Sequence, residues 1–313
     1  MRKLFESTTA YRTIARGAAS GERSHFTLVL YPDERHLRAF LFTCAAAFFG
    51  AERGSRRERL IEEGCYPDCL IYPQAGQKLT ADVASELIGE SSLSPVEGDK
   101  KLIVIDAFQT VAPLVQNKLL KILEEPPAGV YFLVGATAEH TVLPTVLSRA
   151  DKLTVQPFSE EAIAAALTRT KGKTAGIAQA AAASGGILSV AEDLLAGGGA
   201  AFDLAVRFLT EEDQVRVCRE IGELPQGTFF PALRLVLRDV ALCASGQGQY
   251  ISLRERGIES IAKNIPAGVA LAALQYVAAA EREIQFHANI AQAALTLSLR
   301  IAKERKTWQK LSL

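Results

Sequence analysis

The chain has 313 residues, enough for about two or three domains, and its 49% hydrophobic and 22% charged residues are ordinary for a globular protein. Lys+Arg 35 against Asp+Glu 35 leaves no net charge. The cationic surplus that a stand-alone nucleic-acid binder needs is absent, and the balance suits a subunit that mainly contacts other proteins.

Residues 1–24 read as a helix with a Gly-rich break at Gly17–Gly21. The opening Met1-Arg2-Lys3-Leu4-Phe5-Glu6 lacks the apolar core of a signal peptide, so the cytoplasm is expected. Phe26-Thr27-Leu28-Val29-Leu30 is the first buried strand. A helix over 35–49 follows, filled by Leu37, Phe40, Leu41, Cys44 and Phe48; the apolar run Phe40–Phe49 is too short to span a bilayer. Residues 50–59 are charged and read as exposed. Cys65 and Cys69 supply two thiolates, too few for a closed tetrahedral zinc site, so no metal is expected. With Cys44, Cys218 and Cys243 they do not suggest a disulfide framework either.

Leu70-Ile71-Tyr72-Pro73 is a short strand, and Thr80 caps a helix to Ile88 with Asp82 in its first turn. Ser94–Lys100 is a turn into Lys101-Leu102-Ile103-Val104-Ile105-Asp106, a strand ending on a carboxylate. Leu119, Leu120 and Leu123 mark the packed side of the next helix, which Pro126-Pro127 stops. Val130-Tyr131-Phe132-Leu133-Val134 is another apolar strand, and Leu143-Pro144-Thr145-Val146-Leu147-Ser148-Arg149 a Pro-initiated helical turn. These runs are apolar without alternation, the pattern of strands buried on both faces of a parallel sheet. Asp106 then falls where such sheets place ligands. Leu153-Thr154-Val155 is the last strand and Ser159 caps the next helix. Three short helices fit in 159–196, broken at Lys171-Gly172-Lys173 and Ser184-Gly185-Gly186. Gly197-Gly198-Gly199 reads as a linker. Beyond it helices are expected near 201–209, 211–222, 228–244, 254–264, 267–286 and 289–304, with Ala270, Leu274, Val277, Ile284, Ile290, Ala294, Leu297 and Ile301 at helical spacing.

Four pieces in order, the strand ending in Asp106, Leu119-Leu120-Lys121-Ile122-Leu123-Glu124-Glu125-Pro126-Pro127, the strand Val130–Val134, and Leu143–Arg149, carry a resemblance. Together they resemble the bacterial clamp-loader ATPases of the AAA+ class, the gamma/tau and delta-prime subunits of DNA polymerase III. The resemblance implies an α/β plus all-α chain: an AAA+ parallel-sheet ATPase-like domain at 1–156, a small helical lid at 157–198, and a C-terminal helical collar at 199–313. It implies partners too: gamma/tau and delta subunits in a hetero-pentameric ring, and the sliding clamp and primer-template DNA through that complex. No membrane contact is expected.

The sequence departs from the hydrolysing members of that family. Aligned to their phosphate loop, Tyr31 and His36 replace glycines, Leu37 the lysine and Arg38 the hydroxyl. Side chains then fill the phosphate space, Asp33 and Glu34 add repulsion, and Arg35 and Arg38 read as solvated surface. Asp106-Ala107 stands where they carry Asp-Glu, so Asp106 reads as a cap or turn residue rather than a metal ligand. Gly135-Ala136-Thr137-Ala138 replaces Thr-Ser-Asn, leaving only Thr137, and the lid arginine falls near Val190. No nucleotide cofactor is expected. Ser148-Arg149 is kept, which implies an arginine finger, Arg149, acting in trans on a neighbouring subunit with Ser148 in support. Ala150 stands for the family's Cys; the everyday role of such an arginine is a pair with a local carboxylate such as Asp151. The losses match the delta-prime type. Alternatives are a gamma/tau-type ATPase with an unusual loop, a delta-type clamp-opening subunit (which should lack the Ser-Arg element), and a solitary structural or DNA-binding adaptor.

Overall fold

Apolar runs become one parallel sheet in the computed structural model, which describes residues 1–74, 76–197, 199–225, 227–285 and 289–311. Its strands are β1 (Phe26–Leu30), β2 (Cys69–Tyr72), β3 (Lys101–Ile105), β4 (Val130–Ala136) and β5 (Asp151–Thr154), in the order β2-β3-β4-β1-β5. Every residue of β3 and nearly all of β1 and β4 are buried, because helices cover both faces. Register brings Leu30 beside Ala136 and Ile105 beside Val134, so the C-terminal ends of β1, β4 and β3 lie together. β5 starts earlier than the Leu153 expected and is mostly exposed; its Asp151 and Lys152 charge an edge that would otherwise invite pairing.

The helices of this unit are α1 (Arg2–Glu6), α2 (Thr9–Ser20), α3 (Glu34–Phe48), α4 (Arg56–Glu62), α5 (Ala81–Ser91), α6 (Pro113–Glu124) and α7 (Pro144–Leu147). Side chains of Thr8, Asp33, Ser55 and Thr80 cap four of them, and Pro113 and Pro144 start two more where a missing N–H costs nothing. Gly17 does not break α2, which runs on to Ser20; Gly21 ends it in the left-handed region. α3 lies on β4 so closely that a Cβ on Gly135 would come within 2.7 Å of a Leu41 methyl and 2.9 Å of a Leu37 methyl.

The chain divides into two compact units, Met1–Pro157 and Phe158–Leu313. The second is all-α: α8 (Glu160–Lys171), α9 (Ile177–Ala183), α10 (Leu188–Ala196), α11 (Ala200–Thr210), α12 (Gln214–Gly222), α13 (Phe229–Ala244), α14 (Ile258–Ala262), α15 (Ala267–Gln285) and α16 (Ile290–Leu311). The α/β plus all-α class is thus the one expected, with a five-stranded parallel sheet in the first unit. Ala270, Val277, Ala294, Leu297 and Ile301 are buried at the expected helical spacing. Ala180, Ala183 and Leu194 share one apolar core with Phe202, Phe208 and Phe229. Gly197 and Gly199 therefore turn the chain between two helices of a single unit, instead of linking separate ones. Gly198, and the end of the helix expected at 286, lie outside the described residues. Among the described residues no helix is long and apolar enough to cross a membrane.

Filling the close approach at Gly135 should strain a packed interface. Gly135→Ala is expected to lower unfolding free energy by about 1–3 kcal/mol in urea titrations, as overpacking does; a neutral or stabilising result would contradict this account of the α3–β4 contact.

Candidate functional site

The strand ends carry the residues that the sequence singled out, and most turn inward. Only Tyr31, Pro32 and Asp33 separate β1 from α3. His36 and Leu37 therefore sit inside the helix, with no glycine loop ahead of it to cradle phosphate. Tyr31 is buried, stacked on Phe40 at 4.9 Å between ring centroids, with Phe5 of α1 edge-on to both. Asp33 is buried as well: its carboxylate accepts the backbone N–H of His36 and lies 2.9 Å from His36 Nδ1. Instead of presenting a repulsive charge, Asp33 occupies the positive N-terminus of α3, the place where a helix receives an anion.

Arg38 corrects a second expectation. It is not solvated surface; its Nη1 donates to Asp106 Oδ2 at 3.3 Å and to the carbonyl of Pro73 at 3.1 Å. Asp106 is accordingly neither helix cap nor loose turn residue. Its carboxylate, only 14% exposed, holds a side-chain cation, and Arg38 is 30% exposed. Ala107 follows in the left-handed region at φ 52°. Gln109 was not flagged by sequence. Its Nε2 donates to Glu34 Oε1 and its Oε1 accepts the backbone N–H of Thr137, both at 3.3 Å, stitching the helix start to the end of β4. Thr137 is half-buried and met through its backbone. Val190, in α10, is half-buried against the apolar core of the second unit.

Ser148 and Arg149 follow α7 directly. A helix end leaves carbonyls without intrahelical donors. Here Ser148 Oγ and Arg149 Nη1 both donate to the Thr145 carbonyl, at 3.2 and 2.8 Å. Nη1 is also 3.4 Å from Ser148 Oγ, which can accept from it. Arg149 Nε lies 2.9 Å from Glu124 Oε2 at the end of α6, so the carboxylate partner is Glu124 and not Asp151. Arg149 remains 34% exposed. Ala150 is half-buried against the sheet-side core, which anchors the element.

The two-cysteine segment serves structure. Buried Asp68 between Cys65 and Cys69 accepts the backbone N–H groups of Val96 and Glu97, fixing the turn before β3. Cys65 is exposed and Cys69 buried in β2, where desolvation pushes its thiol up to about 12. Among the described residues no three His, Cys, Asp or Glu side chains come together as metal ligands.

Residues 7–159 match the family model described as DNA polymerase III, delta subunit. The chain is 30% identical over 125 residues to DNA polymerase III subunit delta' of Bacillus subtilis, covering 38% of each chain. It is 35% identical over 91 residues to DNA polymerase III subunit tau of Salmonella typhimurium, covering 29% of this chain and 14% of that one. These alignments thus span well under two thirds of the relatives' own length. Among solved structures, a gamma subunit-related protein of DNA polymerase III from Thermotoga maritima is similar at 13% identity and a TM-score of 0.44, over 95% of this chain and 99% of that one.

Removing Arg38 leaves a largely buried carboxylate without its cation. Arg38→Ala should cost about 1–3 kcal/mol of stability, Asp106→Asn less, and the double variant less than the sum, read by chemical unfolding at neutral pH. Additive losses would show that the two side chains do not stabilise one another.

Proposed function

We propose that this chain belongs with the clamp-loader subunits of DNA polymerase III, the family whose model matches residues 7–159 and whose relatives match part of the chain, and that it is a delta-prime-type subunit that neither binds nor hydrolyses ATP. In this reading it assembles in the cytoplasm with gamma/tau and delta subunits in a hetero-pentameric ring. The ring loads the sliding clamp on primer-template DNA, with Arg149 as an arginine finger for one neighbouring ATPase site. Residues 157–198 would be its lid and 199–313 its collar.

The observation that carries the reading is the Arg38–Asp106 pair. A hydrolysing site needs Asp106 free to hold magnesium through water and a short hydroxyl at position 38. Here a guanidinium occupies that carboxylate, Asp33 occupies the helix N-terminus, and Ala107 supplies no base. Phosphoryl transfer depends on charge neutralisation and positioning, and these side chains serve neither. Arg149 differs, because it stays partly exposed beside Ser148 on a short, Pro-started element. Its planar fork suits a phosphate.

The matching segment of tau favours a second reading, a gamma/tau-type ATPase. Arg38, Leu37 and Ala107 stand against it. The delta-type reading draws on the family model's description, and the Ser148-Arg149 element stands against that one.

In a reconstituted clamp loader, Arg149→Ala should leave assembly intact and lower DNA- and clamp-stimulated ATP hydrolysis and clamp loading. The loss at the affected site should approach the 10³–10⁵-fold, to order of magnitude, that an essential finger supplies. Arg149→Lys should restore little, since an ammonium lacks the fork. Unchanged hydrolysis and loading by the fully assembled Arg149→Ala complex would exclude the finger.

A further inference from the structure

The Leu-Glu-Glu-Pro-Pro stretch contains a residue that helix termination does not account for. Pro126 and Pro127 suffice to stop α6. Glu124 is the last residue of that helix, at the negative end of its dipole, where a carboxylate is disfavoured. It caps nothing: the Lys121 carbonyl is met by the backbone N–H of Glu125. What Glu124 does contact is Arg149, with Oε2 at 2.9 Å from Nε.

The surroundings of the guanidinium define an orientation. Nη1 is engaged by the Thr145 carbonyl and lies near Ser148 Oγ, while the Nε edge lies against Glu124. Among the described residues Nη2 has no hydrogen-bond partner. One nitrogen is hydrogen-bonded, a second lies beside a carboxylate in an ion pair, and the third is left to receive an acceptor from outside the chain. An unrestrained arginine loses rotamer entropy when it binds, and fixing it in advance removes part of that cost from the encounter with phosphate.

The geometry points to Glu124 as a positioning residue for Arg149: its carboxylate holds the guanidinium so that Nη2 presents to an oxyanion on a neighbouring subunit. The inference rests on the finger reading above. Two effects of Glu124 oppose one another, since a neighbouring carboxylate also dilutes the cation's field. Glu124 is 52% exposed and Arg149 34%, so water screens that penalty. Misplacement is the larger effect, as a shift of about 1 Å can cost about 10²-fold in rate. Loss of Glu124 therefore lowers turnover.

The test uses the reconstituted complex with four versions of this chain: unaltered, Glu124→Ala, Arg149→Ala and the double variant, with stoichiometric assembly checked by co-elution. Glu124→Ala should reduce stimulated ATP hydrolysis at saturating ATP about tenfold at the dependent site, part of the cost of a full misplacement. In the Arg149→Ala background Glu124→Ala should change nothing further, and Glu124→Gln, which keeps an oxygen near Nε, should restore part of the rate. A second readout needs no partner. In the isolated chain the Arg149 Nε–Hε NMR signal should shift and broaden in Glu124→Ala, less so in Glu124→Gln. If Arg149→Ala lowers hydrolysis but Glu124→Ala leaves it unchanged or raises it, the positioning role is wrong while the finger stands. An equal further loss in the double variant would also overturn it, as would an Nε–Hε signal indifferent to Glu124. If Arg149→Ala itself has no effect, the finger reading fails and the positioning role falls with it, even where the NMR signal shows the pair.

Discussion

An arginine on a carboxylate is the constraint from which the rest of the first unit follows. Arg38, from the second turn of α3, ties that helix to the end of β3 at Asp106 and to the Pro73 carbonyl beyond β2. A buried carboxylate needs a cation or a set of hydrogen-bond donors. Where a nucleotide site borrows that cation from a metal, this chain supplies it covalently. Asp33 does the complementary thing at the start of α3, placing an internal anion on the backbone N–H of His36. Both of these charges are met from within the chain. Tyr31, Phe40 and Phe5 fill the adjoining volume, and Gln109 crosses from Glu34 to Thr137.

In the proposed function, that internal closure leaves Arg149, at the unit's edge, as the residue that acts. Arg149 sits on a four-residue helix started by Pro144 and followed by the exposed edge strand β5. Its local bonds are ones the helix end requires, because Thr145 has no intrahelical donor for its carbonyl. The same contacts that finish α7 thus orient the guanidinium. In the proposed ring, a subunit with a filled pocket and a prepared arginine acts only on its neighbour.

How much of this the sequence disclosed depends on range. Buried strands, the Thr80 and Ser159 caps and the end of α6 at Pro126-Pro127 are local, and each lies where its pattern puts it. Asp33 and His36 were also within reach, since an Asp three residues ahead of a helical N–H is a capping pattern. Arg38 was not: its partner lies 68 residues away, and helical spacing does not say which face meets the end of β3. Arg149 with Asp151 failed for a related reason. β5 begins at Asp151, which is committed to the register with Thr27, leaving Glu124 from another helix to reach the guanidinium. Gly197 and Gly199 show the limit of composition, because glycines mark a tight turn and a linker alike. Gly199, at φ 96°, starts α11, and α10 and α11 share a core.

In the proposed function, side chains of this chain stand where related sites hold a magnesium nucleotide. Isothermal titration of the isolated full-length protein with ATP and Mg²⁺, beside the Arg38→Ser form that reopens Asp106, addresses it most directly. The account predicts no binding tighter than about millimolar, the roughly −4 kcal/mol range of nonspecific contact, for the unaltered chain. A micromolar, magnesium-dependent affinity in that chain would contradict it.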